Sequence, residues 1–196
     1  NATTICSDKT GTLTENKMSV VAATLGTMSR FDEQPSSTNT AASTRGPEIL
    51  SASEFVSTLS SSIRNHLLQS IVLNSTAFEA EHDGVTTFIG SKTETAFLSF
   101  ARDQLGLRPV SEERANVNIV QIFPFDSSRK CMAVVFRMDC GKYRMLVKGA
   151  AEILLRQSSQ VIQRASNGLE DAPLSGANRA ALDTIITDYA SRSLRC

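Results

Sequence analysis

The stretch "NVNIVQIFPFDSSRKCMAVVFRMDCGKYRMLVKG", Asn116–Gly149, holds three runs rich in β-branched and aromatic residues. They are "NVNIVQIFPF" (116–125), "KCMAVVFRM" (130–138) and "KYRMLV" (142–147). Short polar segments separate them, the second being Asp139-Cys140-Gly141. Such runs joined by turn residues predict consecutive antiparallel strands. A parallel sheet would need a long crossover between each pair. The centre of this chain is therefore an antiparallel sheet.

Outward from that sheet the period changes. A short helix is expected after Gly149, then a loop at 166–176 and a last helix capped by Ser175. On that helix Leu182, Ile185, Ile186 and Tyr189 share one face, with Arg179, Asp183, Asp188 and Arg192 on the other. Towards the N-terminus, Ser91 and Glu94 have the spacing of a capping box. It opens a helix with Phe97, Ala101 and Leu105 inward, closed by Gly106. "TAFEAEHDGVTTFIG" (76–90) reads as a hairpin turning at His82-Asp83-Gly84. Ala52, Val56, Leu59, Ile63, Leu67 and Ile71 predict one helix over 48–74, weakened by three serines at 60–62. Residues 29–47 are polar and rich in Ser, Thr and Pro, the composition of a loop. Residues 2–7 read as a buried strand ending at Asp8, and 17–25 as a second strand. Strands and segregated helices give an α+β class, with α/β character only at the N-terminal edge.

Composition narrows the function. The 196 residues carry no net charge, so nucleic acid is not a favoured partner. No apolar run approaches the roughly 18 residues of a spanning helix. The four cysteines are scattered without C-x-x-C spacing and read as reduced thiols. His66 and His82 stand far from any cysteine and suggest no metal site. The two Asn-x-Thr sequons read as unmodified, and a start at Asn1 without Met suggests a fragment.

The chemistry concentrates in "ICSDKTGTLT", residues 5–14. A carboxylate can attack a phosphoryl group to give an aspartyl-phosphate. Cations and donors must then surround the phosphoryl oxygens. The residues after Asp8 offer Lys9, the hydroxyls of Thr10 and Thr12, and backbone N–H groups around Gly11. The alternative is an Asx-type turn in which Asp8 bonds its own backbone.

The unbroken string "DKTGTLT" resembles the phosphorylation motif of the P-type cation-transporting ATPases, which carry a haloacid-dehalogenase-like phosphorylation domain. The resemblance implies that Asp8 is the nucleophile and Lys9 supports the phosphoryl group. Thr10 would lie at the Mg²⁺ site with Asp8, through its main-chain carbonyl. "GSKTETAFL" (90–98) resembles the segment whose Glu meets the adenine amino group, here Glu94, with Thr93 beside it. "FPFDSSRKCMAVV" (123–135) resembles the segment that stacks an aromatic on adenine, here Phe125, with Lys130 near the phosphates. "VKGAAEILL" (147–155) is similar to the K-G-A motif, with Lys148 at the pocket floor and Gly149 allowing close approach. "SLRC" (193–196) resembles the segment whose Arg contacts the ATP phosphates, here Arg195. Outside the resemblance, Glu94 reads as a cap, Phe125 as a core residue and Lys148 as a solvated strand end.

The wording is most similar to plasma-membrane-type and fungal vacuolar calcium pumps. That implies ATP and Mg²⁺ as cofactors, and calcium as the cation moved by the full-length protein. It also implies a cytosolic position for this portion of a vacuolar or plasma-membrane protein. Residues 1–20 would begin the phosphorylation domain and 21–196 form the nucleotide-binding domain. Further phosphorylation, actuator and membrane domains of the same chain would be its partners, and this portion alone is expected to be inactive. Asp126, Ser127 and Ala151 depart from the family pattern. A haloacid-dehalogenase-like phosphatase would want a second Asp where Thr10 stands. A non-catalytic nucleotide-binding module, or a pump for another cation, stays open.

Overall fold

The computed structural model describes residues 2–27, 29–33, 49–82, 84–165 and 168–196. The strands are β1 (Ala22–Leu25), β2 (Ser29–Asp32), β3 (Ile49–Leu50), β4 (Phe78–His82), β5 (Val85–Ile89), β6 (Asn118–Asp126), β7 (Cys131–Arg137), β8 (Tyr143–Gly149), β9 (Gln160–Ala165) and β10 (Gly168–Pro173). The helices are α1 (Ala52–Thr58), α2 (Ser61–Leu73), α3 (Lys92–Phe100), α4 (Val110–Ala115), α5 (Ala151–Gln157) and α6 (Gly176–Ser191). A π-helical turn, Ala101–Leu105, extends α3 to Gly106, which closes it at φ 72°. The pairings are antiparallel except β2 with β3. Helices with small, mostly antiparallel sheets are the α+β arrangement expected.

The sheet β6-β7-β8 forms where the three apolar runs predict it, with a turn at Gly141. Its alternation sets the two faces. Met132, Val134 and Phe136 of β7 are buried, and they pair with Lys148, Leu146 and Arg144 of β8. Val134 and Phe136 pack with Leu73 at the end of α2. The intervening Tyr143, Met145 and Val147 are exposed. The strand pattern thus turns Lys148 towards the helices.

The helical side has its own core. Phe31, Ala52, Phe55, Val56, Leu59, Ala101 and Leu105 form one buried cluster. Phe31 is fully buried, stacked on Phe100 at 5.7 Å and tilted against Phe55 at 5.3 Å. Burying one such ring contributes about 1.5–3 kcal/mol. A second cluster joins Val72, Ala77, Leu98 and Val110.

Several expectations are corrected. The helix over 48–74 is two helices, because Leu59 is extended and the Ser60 hydroxyl accepts from the Ile63 N–H. Serine favours such a cap over a helix interior, so the apolar period runs on across a break. Residues 2–8 form no strand, and Ile5 is 88% exposed. Without a paired neighbour an extended run has no ladder to hold it. The second strand is shorter than 17–25, and Ser29–Asp32 is strand rather than loop; residues 34–47 of that loop lie outside the described residues, as does Asp83 of the hairpin turn. The loop at 166–176 is largely strand β10 paired with β9. Its polar composition hid it, because ladder bonds come from the backbone. Helix α4 was missed as well, being too short at six residues to show a period. Phe97 is 37% exposed rather than an inner residue. On α6, Arg179, Asp188 and Arg192 are half-buried and bonded, not simply solvated.

Candidate functional site

Glu94 sits at the first turn of α3, and the turn explains its freedom. The Ser91 hydroxyl accepts from the Glu94 N–H at 3.3 Å, which caps the helix. The Glu94 carboxylate does not return to the Ser91 backbone, unlike Glu54, which completes a full capping box with Ser51. It turns instead to Thr76, accepting from its N–H at 3.2 Å and its hydroxyl at 3.1 Å. Lys148 Nζ then donates to Glu94 Oε1 at 2.6 Å. The side chain of Glu94 is 7% exposed and that of Lys148 is 28% exposed. Burial pushes the Glu94 carboxyl up, but Lys148 and the Thr76 donors outweigh it and hold it below the usual range.

Asn74 supports the same place. Its Nδ2 reaches the carbonyls of Met132 and Leu146, which fixes β7 and β8 against the end of α2. Arg114 of α4 donates to the Val72 and Ser75 carbonyls just beyond. Burial lowers the Arg114 pKa, with Glu94 and Glu79 opposing the shift. A cleft of about 250 Å³ opens beside the pair, walled by Val20, Leu25, Phe55, Leu67 and Phe100. Glu94, Lys148 and Asn74 line it as well. A second groove, between α5 and α6, contains none of the residues expected at a site.

The end of the sheet gathers further groups. Asp126 pairs with Cys131, and Cys131 with Gly149. Phe125, Lys130 and Gly149 therefore stand at one sheet end. Phe125 is 63% exposed, so it is not the core residue that composition alone suggests. The tip between β6 and β7 is held by the Asp126 carboxylate, which accepts from the Ser128 N–H and hydroxyl and the Arg129 N–H. Lys130 follows at φ 50° and is exposed. A Cβ on Gly149 would lie 2.6 Å from the Lys130 carbonyl oxygen and 2.7 Å from Cys131 Cβ. Only glycine lets the two strands approach so closely there.

Arg195 reaches the same helix turn from the far end of the chain. Its Nη1 donates to the Thr93 hydroxyl at 3.4 Å. The structure thus joins Glu94 to Lys148 and Thr93 to Arg195, at adjacent positions of α3. Asp8 and Lys9 stand apart in sequence, in an exposed N-terminal segment with a π-helical turn over Lys9–Leu13. There the Thr14 hydroxyl donates to the Lys9 carbonyl and accepts from the Gly11 N–H. The Thr10 side chain lies outside the described ones. Among the described residues no group of three or more His, Cys, Asp or Glu could hold a metal ion. The Asp8 carboxylate and the Thr10 carbonyl are the hard oxygen donors that Mg²⁺ takes, and that ion fills the rest of its octahedral shell with waters and phosphate oxygens.

Sequence reasoning missed Thr76 and Asn74. Both lie in "NST" beyond α2, where nothing in the local pattern marks a partner 18 or 58 residues away.

The family model described as P-type ATPase, cytoplasmic domain N, matches residues 62–196. Calcium-transporting ATPase 2 of Schizosaccharomyces pombe is 41% identical over 201 residues, covering 99% of this chain and 15% of the relative. Calcium-transporting ATPase 2 of Saccharomyces cerevisiae is 34% identical over 258 residues, covering 100% and 21%. Plasma membrane calcium-transporting ATPase 3 of Homo sapiens is 36% identical over 170 residues, covering 86% and 12%. The chain thus spans a small part, 12–21%, of these three relatives. Among the described residues no helix is long and apolar enough to cross a membrane.

Proposed function

We propose, from the fact that this chain belongs to the P-type ATPase family as its cytoplasmic domain N, that it binds ATP at the sheet end beside α3. One observation carries this reading: an exposed Phe125 at the same end of the sheet as Lys130, Lys148 and Gly149. An exposed aromatic face can stack a purine, and nearby cations suit phosphates. In this reading the base rests on Phe125, Lys148 forms the floor, and Gly149 lets the backbone come close. Lys130 and Arg195 face the phosphates, with Thr93 anchoring Arg195. Glu94 serves the base chiefly by holding Lys148, since its carboxylate already accepts from three donors.

Residues 21–196 would be the nucleotide-binding domain, and 1–20 the start of the phosphorylation domain. Asp8 would be the phosphoryl acceptor and Lys9 would neutralise the incoming group. Mg²⁺ would meet Asp8 and the Thr10 carbonyl, with waters and phosphate oxygens completing its shell. The names of the relatives support calcium as the cation moved by the full-length protein. Its membrane would be vacuolar or plasma membrane. Calorimetric titration with ATP tests the pocket. Phe125→Ala and Lys148→Ala should each weaken binding about tenfold or more, as stacking and charge-assisted bonds are worth roughly 1–3 kcal/mol. Parent-like affinity in both variants would refute the assignment.

A further inference from the structure

The last turn of α6 carries an ion cluster that ends three residues before Arg195. Arg192 spans the Asp32 carboxylate with both prongs, Nη1 to Oδ2 at 2.6 Å and Nη2 to Oδ1 at 2.7 Å. The Asp32 side chain is fully buried, and that of Arg192 is 14% exposed. Arg30 closes the cluster, donating to Asp32 at 2.8 Å and to Asp188 at 3.0 Å. Arg30 and Arg192 both stand over the Tyr189 ring, at 5.0 and 5.8 Å. The Tyr189 hydroxyl bonds Thr24 of β1 at 2.7 Å. The end of α6 is thereby fixed to β1 and β2.

The chain just beyond α6 is equally constrained. Arg192 caps α6, and Ser193 adopts the left-handed conformation at φ 59°. The Ser193 N–H returns to the Ala190 carbonyl and the Leu194 N–H to the Tyr189 carbonyl. This pair of bonds is the Schellman closure, with serine where glycine is usual. The chain direction at Arg195 is therefore set by the end of α6, and Arg195 meets Thr93.

We propose that Arg192, through its fork on Asp32, is a positioning residue for Arg195 and so for the phosphate end of the bound nucleotide. The inference rests on the reading that Arg195 contacts phosphate. The Arg192 guanidinium is engaged by Asp32 and Asp188, so its contribution would reach the nucleotide through the chain it orients. A planar fork grips both oxygens of one carboxylate, which a lysine cannot do.

The test compares ATP with adenosine, titrated calorimetrically into this chain. Arg195→Ala should weaken ATP about tenfold and leave adenosine unchanged, the loss of one charge-assisted bond. Arg192→Gln should weaken ATP by about threefold or more, again sparing adenosine, through a partial loss of that same bond. Arg192→Gln/Arg195→Ala should bind ATP no worse than Arg195→Ala alone. Arg192→Lys keeps a cation beside Asp32 and should show the same split in smaller measure, which keeps the test open if Arg192→Gln does not fold. Equal losses of ATP and adenosine, no loss of either, or additive losses in the double variant would overturn the proposal. If Arg195→Ala leaves ATP binding intact, the phosphate reading of Arg195 fails instead, and the role of Arg192 falls with it.

Discussion

Lys148 and Glu94, 54 residues apart, meet at 2.6 Å, on a carboxylate that already holds both donors of Thr76. The pair joins β8 to α3 before any ligand arrives. Removing Lys148 leaves the nearly buried Glu94 carboxylate without its cation. We predict that Lys148→Ala lowers stability by about 1–3 kcal/mol, read as a lower urea midpoint. An unchanged midpoint would mean that water replaces the ammonium at no cost.

Acid should undo the same contact. The Glu94 carboxyl is held below its usual range, so its stabilisation is complete above the unfolded value, about 4.3. It is lost as pH falls through the lower folded value. The stability gap between the parent and Glu94→Gln should therefore be widest near neutral pH and shrink on acidification below about pH 4.3. A gap that grows in acid would reverse the sign of the argument.

Two of the serine-capped helices, α1 and α3, should respond differently to the same change. Ser51→Ala and Ser91→Ala should each cost about 1 kcal/mol, the ordinary worth of a cap. In α1 the loss should be coupled to Glu54, because the two side chains bond each other at 2.6 Å. In α3 it should add independently to any change at Glu94 that spares Thr76 and Lys148. Double-mutant cycles in urea measure the difference, and strong coupling of Ser91 to Glu94 would refute it.

Gly149→Ala should destabilise the hairpin end by about 1–3 kcal/mol, the usual cost of forcing extra atoms into a packed place. A Cβ there meets backbone and a neighbouring Cβ, so no flexible side chain can swing aside. Thermal unfolding reads the loss. Phe125→Ala, by contrast, should hold within about 0.5 kcal/mol of the parent, because its ring is mostly in solvent.

Much of this was legible along the chain. The strands β6, β7 and β8 announce themselves by β-branched runs with turn residues between, and α6 by its apolar period and Ser175. The break at Leu59–Ser60 was foreshadowed by the serines but masked by an apolar period that continues across it. Strand β10 could not be read, since backbone pairing leaves no mark on a largely polar sequence, and β9 offers only the short apolar run Val161-Ile162. The site residues were found through resemblance rather than period. Phe125, taken alone, reads as a core residue, and only the fold shows its ring exposed. Asp32 and Arg192 lie 160 residues apart, and nothing local in either segment names the other. Long-range polar pairs of this kind become visible only once the fold closes.

The tip between β6 and β7 bears on time rather than on strength. Asp126 gathers the Ser128 and Arg129 N–H groups and the Ser128 hydroxyl, and Arg129 reaches back to the Pro124 carbonyl at 3.2 Å. Phe125 is thus flanked by a turn already closed on itself. In the proposed pocket, a base would meet a turn already formed. Its capture should be governed by the frequency of encounter, and its dwell by how quickly it slips off an open ring.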